Sequence, residues 1–245
     1  MTHLARYWYA ACFGSDLGPR RPLARTVHGQ PMVLFRDRAG RAVTLLDRCP
    51  HRNAPLSMGR CVQGELRCGY HGWTFDAAGT CTDIPGLRIV APTTARSVAS
   101  FPVFERDGIV WVVPSHDRPA LDEPPRVPHA DDETYATVRH SGTMRTTVVA
   151  AVENALDVPH TAFLHRGLFR GRRTPVPVDA LVRHGDGSVE AEYVGEPVPP
   201  GIAARLLAPE GGIVEHIDRF LAPSMSQDPL RNRRHQGRDH GSRQR

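Results

Sequence analysis

The sequence contains no lysine; all thirty-one of its basic side chains are Arg, an absence that bears on codon usage and carries no function of its own. Long apolar runs are missing too. Ile109–Val113 and Val148–Val152 are among the longest and fall far short of the ~20 residues that a spanning helix needs, so no membrane segment is expected. Residues 1–13 hold an aromatic patch and one Arg instead of a charged stretch followed by an apolar one, so no secretory signal is expected and a cytoplasmic location is the expectation. Five Cys are too few, and too irregularly placed, for a disulfide framework. Charge of one sign is also scarcer than the net +5 implies. Residues 226–245 carry six Arg against two Asp, a balance of +4, which leaves +1 for everything before them. That tail has no aromatic residue on which bases could stack, and no nucleic-acid recognition motif accompanies it, so nucleic-acid binding is not expected.

What the chain does have is two short motifs that each combine one Cys and one His. Cys49-Pro50-His51 is followed sixteen residues later by Cys68-Gly69-Tyr70-His71, giving C-x-H-x16-C-x2-H. A [2Fe–2S] cluster takes four ligands, two per iron, and replacing two thiolates on one iron by imidazoles raises its potential, the arrangement of a Rieske centre. Cys49 and Cys68 would then hold one iron, and His51 and His71 the other. Pro50, Gly69 and Gly72 supply turns that bring backbone N–H groups close to the sulfurs. Structural zinc also uses Cys2His2 sets, but usually pairs Cys with Cys and His with His.

Short strand-like runs surround these motifs. Met32–Phe35 and Ala42–Leu46 flank a turn at Arg38–Arg41 and read as a hairpin leading into the first motif. Trp73–Asp76 and Cys81–Ile84 form a second pair, and Val103-Phe104 with Ile109–Val113 a third. Residues 1–117 therefore read as an all-β domain with the ligands on loop tips. Pro85-Gly86 is either a third loop shielding the cluster or an ordinary strand-end turn; the residues leave both open. Asp117–Asp131 is polar and Pro-rich, a candidate domain boundary. Beyond it, Thr134–Ala150 reads as β-rich and Val148–Leu164 as helical, with Val149, Val152, Leu156 and Phe163 near one stripe. Val178–Val194 returns to strand-like alternation around a turn at Gly185–Gly187. A second domain over 118–225 and a basic, disordered tail over 226–245 complete the expected organisation.

The helical segment places Asp157 three residues before His160, on one face, with His165 five further on. Pro159 and Arg166-Gly167 would loosen or end the helix there. Two His with a nearby carboxylate suit non-haem Fe(II), which keeps positions open for O2 and substrate.

With both Cys/His motifs upstream of N-x2-D-x2-H-x4-H (Asn154 to His165), the chain resembles the Rieske non-haem iron oxygenases, α-subunit type, over about residues 7–225. Its surroundings are most similar to the β-less group of aromatic O-demethylases and related monooxygenases. The neighbours of the ligands are Arg52-Asn53 and Gly69-Tyr70, so the extra Cys pair of the respiratory Rieske proteins is absent. The resemblance implies an α+β fold class: an all-β Rieske domain followed by a partial helix-grip catalytic domain with an antiparallel sheet. It implies a [2Fe–2S] cluster and a mononuclear Fe(II), the latter held by His160 and His165. It also implies a reductase or ferredoxin as electron donor, a small apolar or aromatic substrate with O2, and a homotrimer. In such a trimer His71 would hydrogen-bond across the interface to a neighbour's Asp157. Asp157 equally suits a carboxylate that orients His160, and Asn154 either a residue near the iron or a structural amide.

The pattern departs from the family in one respect. Its third iron ligand is an Asp on a late helix, and nothing here matches it. Glu215 and Asp218 lie in Ile213–Leu221, which reads as a strand, and are expected to face solvent. At Met225 the apolar periodicity stops, where the family continues with further strands and a long helix. The expectation is that the gene shifts frame or is truncated near that point. Two functions from different classes follow: an oxygenase component, or a Rieske electron-transfer protein without a working oxygenase iron.

Overall fold

The computed structural model describes residues 3–87, 94–157, 164, 179–194, 213–228 and 230–233. The chain divides into two compact units, Met1–His140 and Ser141–Arg245.

Among the described residues the first unit has ten short strands: β1 (Tyr9–Phe13), β2 (Leu23–Val27), β3 (Gln30–Arg36), β4 (Ala42–Leu46), β5 (Arg60–Val62), β6 (Glu65–Arg67), β7 (Thr74–Phe75), β8 (Cys81–Asp83), β9 (Val103–Arg106) and β10 (Ile109–Val112). They pair antiparallel in three sheets, ordered β2-β3-β4, β1-β10-β9 and β5-β6-β7-β8. β3 explains the architecture. Its run Met32-Val33-Leu34-Phe35 is fully buried, and because side chains alternate along a strand, the run feeds two cores at once. Val33 and Phe35 join Val43, Leu45, Leu56, Leu66 and Phe75 in one cluster. Met32 and Leu34 join Leu17, Val27, Phe101, Val110 and Val112 in the other. Each such side chain contributes ~1.5–3 kcal/mol by leaving water. The first core matters most for the site, since Cys49 and Cys68 belong to it.

All three expected hairpins form, as β3-β4, β7-β8 and β9-β10. The boundary expected after residue 117 falls later, at His140. Residues 118–140 stay with the first unit through specific bonds: Trp8 Nε1 donates to Asp122 O at 2.5 Å, Arg106 pairs with Glu123 at 2.8 Å, Val127 N donates to Asp107 Oδ2, and Arg139 donates to Asp107 O.

In the second unit α1 spans Val148–Leu156, with Thr147 as N-cap: its Oγ1 accepts from Ala150 N at 3.2 Å. The β-rich reading of Thr134–Ala150 is corrected. Residues 134–147 form turns and extended chain, all exposed, because β-branched residues make a strand only where a partner accepts their backbone bonds. Of the expected apolar stripe, Val152 and Leu156 are half-buried and Val149 is exposed; Phe163 lies outside the described residues. The sheet follows in the order β11 (Asp179–Gly185), β12 (Ser188–Val194), β13 (Ile213–Leu221) and β14 (Met225–Gln227), with β15 (Leu230–Arg233) also on β13. β11 and β12 form the hairpin that the alternation of Val178–Val194 predicts. Strand pairing thus runs on to Arg233, into the segment expected to be disordered. Backbone ladder bonds need no apolar side chain, so an Arg-rich stretch can carry them.

Candidate metal centres

The two Cys/His loops fold alike, although their His residues are spaced differently. In the first, Cys49 N donates to Ala54 O (2.9 Å) and Asn53 N returns to Cys49 O (2.8 Å). In the second, Cys68 N donates to Trp73 O (2.8 Å) and Gly72 N returns to Cys68 O (3.1 Å). Each loop is therefore closed by the residues four and five beyond its Cys. The fourth is left-handed in both, Asn53 at φ 58° and Gly72 at φ 76°, a conformation open chiefly to Gly and Asn. With the backbone curled in this way, N–H groups point at sulfur: those of His51 and Arg52 toward Cys49, and that of Tyr70 toward Cys68 Sγ at 3.5 Å.

Each loop is braced from behind. Asp47 takes hydrogen bonds from Ser57 N (2.7 Å) and Ser57 Oγ (2.6 Å), clamping both ends of the first. Thr74 Oγ1 bonds Gly72 O at 3.2 Å in the second. Pro85 lies against this loop: a Cβ added at Gly72 would meet its Cγ at 3.0 Å. Of the two readings left open for Pro85-Gly86, a loop packed on the second motif is the one the geometry favours.

The donors are arranged by chemistry. Cys49 and Cys68 are buried, at 2% and 4% exposure, and their thiols are within hydrogen-bonding reach of each other. Burial pushes the Cys49 thiol up to about 11, against the pull of the backbone N–H groups. His51 and His71 are exposed, with ring centroids 4.7 Å apart. The His51 pKa is lowered by lost hydration and then by His71 and Arg52, which favours the neutral, ligating imidazole. Trp73 stacks on His51 at 4.9 Å with an interplanar angle of 4°, and Tyr70 leans on His71 at 3.8 Å. Two facing thiols inside and two neighbouring imidazoles outside suit a ligand with two unequal ends, as a [2Fe–2S] cluster ligated by sulfur on one iron and nitrogen on the other requires. The sequence reading missed Trp73, whose signal was an aromatic residue directly after Gly72.

For the second centre, Asn154 sits exposed on α1 and Asp157 follows as its C-cap residue. His160 and His165 lie outside the described residues. Asp218 corrects an expectation: far from facing solvent, it is 4% exposed, and its Oδ1 lies 3.2 Å from His216 Nε2. The side chain of Glu215 lies outside the described residues.

Comparison with known proteins agrees with both halves. Residues 7–102 match the Rieske [2Fe–2S] domain family, and residues 144–244 the vanillate O-demethylase oxygenase C-terminal domain family. The oxygenase component of dicamba O-demethylase from Stenotrophomonas maltophilia is 36% identical over 214 residues, covering 85% of this chain and 60% of that protein. The oxygenase subunit of 3-chlorobenzoate-3,4-dioxygenase from Comamonas testosteroni is 33% identical over 229 residues, covering 90% and 51%. The crystal structure of dicamba monooxygenase bound to 3,6-dichlorosalicylic acid superimposes with a TM-score of 0.79 at 30% identity, covering 94% of this chain and 68% of that one. The chain thus spans about 60% of the length of the first of these relatives. In sequence, in fold and in the order of its two halves, it belongs to the Rieske non-haem iron oxygenases, α-subunit type.

Proposed function

We propose that this chain is a Rieske oxygenase component, passing electrons from a reductase or ferredoxin to a mononuclear iron that activates O2 for hydroxylation or demethylation of a small apolar or aromatic substrate. The observation that carries this reading is the pair of matched loops with buried thiols and exposed imidazoles, on a chain of this family. Cys49 and Cys68 take the inner iron, and His51 and His71 the outer one. The exposed imidazoles of His51 and His71 are the side from which electrons would reach a cluster held here. Cys49, protonated with its pKa near 11, gives up its proton on ligation. When bound, the cluster supplies single electrons and the mononuclear Fe(II) supplies the site for O2. His160 and His165 would hold that Fe(II), Asp157 would couple it to His71 of a neighbouring copy in a homotrimer, and Asn154 would lie beside it. A cytoplasmic location fits a partner reductase. Among the described residues no helix is long and apolar enough to cross a membrane.

The test is the iron-to-sulfide ratio of anaerobically reconstituted protein, read together with two variants. The cluster alone gives about one iron per sulfide, and a mononuclear iron raises this to about 1.5. His51→Ala should abolish the visible cluster spectrum. His160→Ala should leave that spectrum intact and lower the ratio by about 0.5. A ratio that His160→Ala does not change would overturn the oxygenase reading in favour of an electron carrier. Bleaching by both variants alike would overturn the two-site assignment.

A further inference from the structure

The second unit contains a cluster of ligating side chains that this reading does not use. The pairs Arg219↔Gln227 and His216↔Leu230 share one register, which continued across the gap sets Asp228 opposite Asp218. His216 and Asp218, two apart on β13, share a face of the sheet. His216 Nε2 lies 3.2 Å from Asp218 Oδ1 and 3.3 Å from Asp228 Oδ1, and all three donor atoms lie within 4.8 Å of one another.

Two features of the trio call for a cation. Asp218 is 95% buried at its side chain, yet among the described residues its Oδ2 has no hydrogen-bond partner, which leaves a buried carboxylate oxygen uncompensated. Like charges directly opposite each other on adjacent strands also repel. The two acids of β12 are instead paired with Arg: Glu190 with Arg219 and Arg183, and Glu192 with Arg183. Among the described residues no Arg pairs with Asp218 or Asp228. A protonated His216 would still leave the trio at −1, whereas a neutral His216 with a divalent cation brings it to zero. The two separations from His216 Nε2 also fit. Donors ~2.1 Å from one ion are about 3.0 Å apart at octahedral and 3.4 Å at tetrahedral angles.

We propose that His216, Asp218 and Asp228 form a second, separate site for a divalent first-row metal ion, bound through one imidazole nitrogen and two carboxylates. The donor set, one borderline nitrogen and two hard oxygens, suits Mn2+, Fe2+ or Zn2+. Its role is to hold the β14–β15 segment onto β13 where their ladder is interrupted at Asp228. The proposal does not rest on the cluster or on the helix histidines.

The test uses the full chain with its oxidised [2Fe–2S] cluster in place and with His160→Ala and His165→Ala, so that the other candidate site is gone. Mn2+ serves as the probe because it avoids thiols, and loss of the free-ion EPR signal reports binding. About one Mn2+ per chain is expected to bind saturably. Asp218→Asn and Asp228→Asn should each weaken binding by more than the ~10-fold typical of losing even an outer partner of a metal site. No saturable binding, or binding that neither substitution weakens, would overturn the site. Asp228 is 57% exposed at its side chain, so Asp228→Asn decides the matter even if Asp218→Asn disturbs the sheet.

Discussion

Among the described residues of 1–140 the buried side chains are apolar apart from three hydroxyls, those of Thr44, Thr74 and Ser115, whereas among those of 141–245 the buried side chains are His216 and Asp218. The sheet of the second unit leaves Leu181, Val182, Val189 and Val194 exposed by 37–56%. The first unit is thus held by two cores of its own. The described part of the second is held by ladder bonds, ion pairs and the polar trio. Local stability differs accordingly between regions of one chain. The largest expected effect therefore lies in the first unit. Phe75, fully buried in the core cluster that also holds Cys49 and Cys68, should cost ~3–5 kcal/mol when cut to Ala. Val182→Ala, at a position 56% exposed, should cost within ~0.5 kcal/mol. Denaturant unfolding of the two variants checks the contrast, and equal losses would break it.

A second comparison lies inside the first unit, between its two loops. Gly72 and Asn53 occupy matching left-handed positions, and Pro85 packs against Gly72. Gly72→Ala should cost ~1–2 kcal/mol from the left-handed backbone, with the Pro85 contact added, and should lower cluster occupancy. Asn53→Gly keeps the conformation and loses only the bond from Arg48 to Asn53 Oδ1, so its cost should stay within ~0.5 kcal/mol. Visible absorbance per chain, read beside the unfolding midpoint, separates loss of cluster from loss of fold.

These loops also show what the sequence makes legible. The four proposed ligands stand out because cluster chemistry demands those residue types, and the hairpins because their strands are apolar and their turns are not. The shared closure of the two loops is invisible in the residues, since backbone hydrogen bonds leave no side-chain mark beyond Gly72. β1 escaped notice because Ala10-Ala11-Cys12 carries little β propensity. Asp218 misled for a different reason. In His216-Ile217-Asp218-Arg219-Phe220 neither face of the strand is cleanly apolar, so alternation could not say which one is buried. Thr134–Ala150 misled in the opposite sense: its residues favour a strand, but a strand needs a partner.

The helix of the second unit offers a smaller contrast. α1 is nine residues long with no buried residue, too short to be stable by itself, so its N-cap should matter more than a cap on a well-packed helix. Thr147→Ala removes the acceptor for Ala150 N and should cost ~1 kcal/mol. Faster hydrogen exchange at Ala150 and Ala151, with the cluster spectrum unchanged, is the expected result. Protection unchanged at both amides would mean that packing alone holds the helix start.

The smallest expected effect is electrostatic and returns to the first unit. Arg36 on β3 grips Glu105 on β9 with both guanidinium nitrogens while also donating to Gly14 O at 2.7 Å. The hydrogen bond from Arg36 holds the Glu105 carboxyl below its ordinary range. A depressed carboxylate pKa adds stability that is fully present above the unfolded value, 4.5, and is lost as pH falls through the folded value. Glu105 is 35% exposed, so solvent screening limits the pair to ~1 kcal/mol or less. Glu105→Gln should therefore lower stability by that amount at pH 7, and the difference from the parent should vanish as pH drops well below 4.5, where both side chains are neutral. Unfolding midpoints of the two proteins across pH 3–7 give the curve. A gap that persisted at the acid end would assign the cost to packing between β3 and β9 rather than to charge.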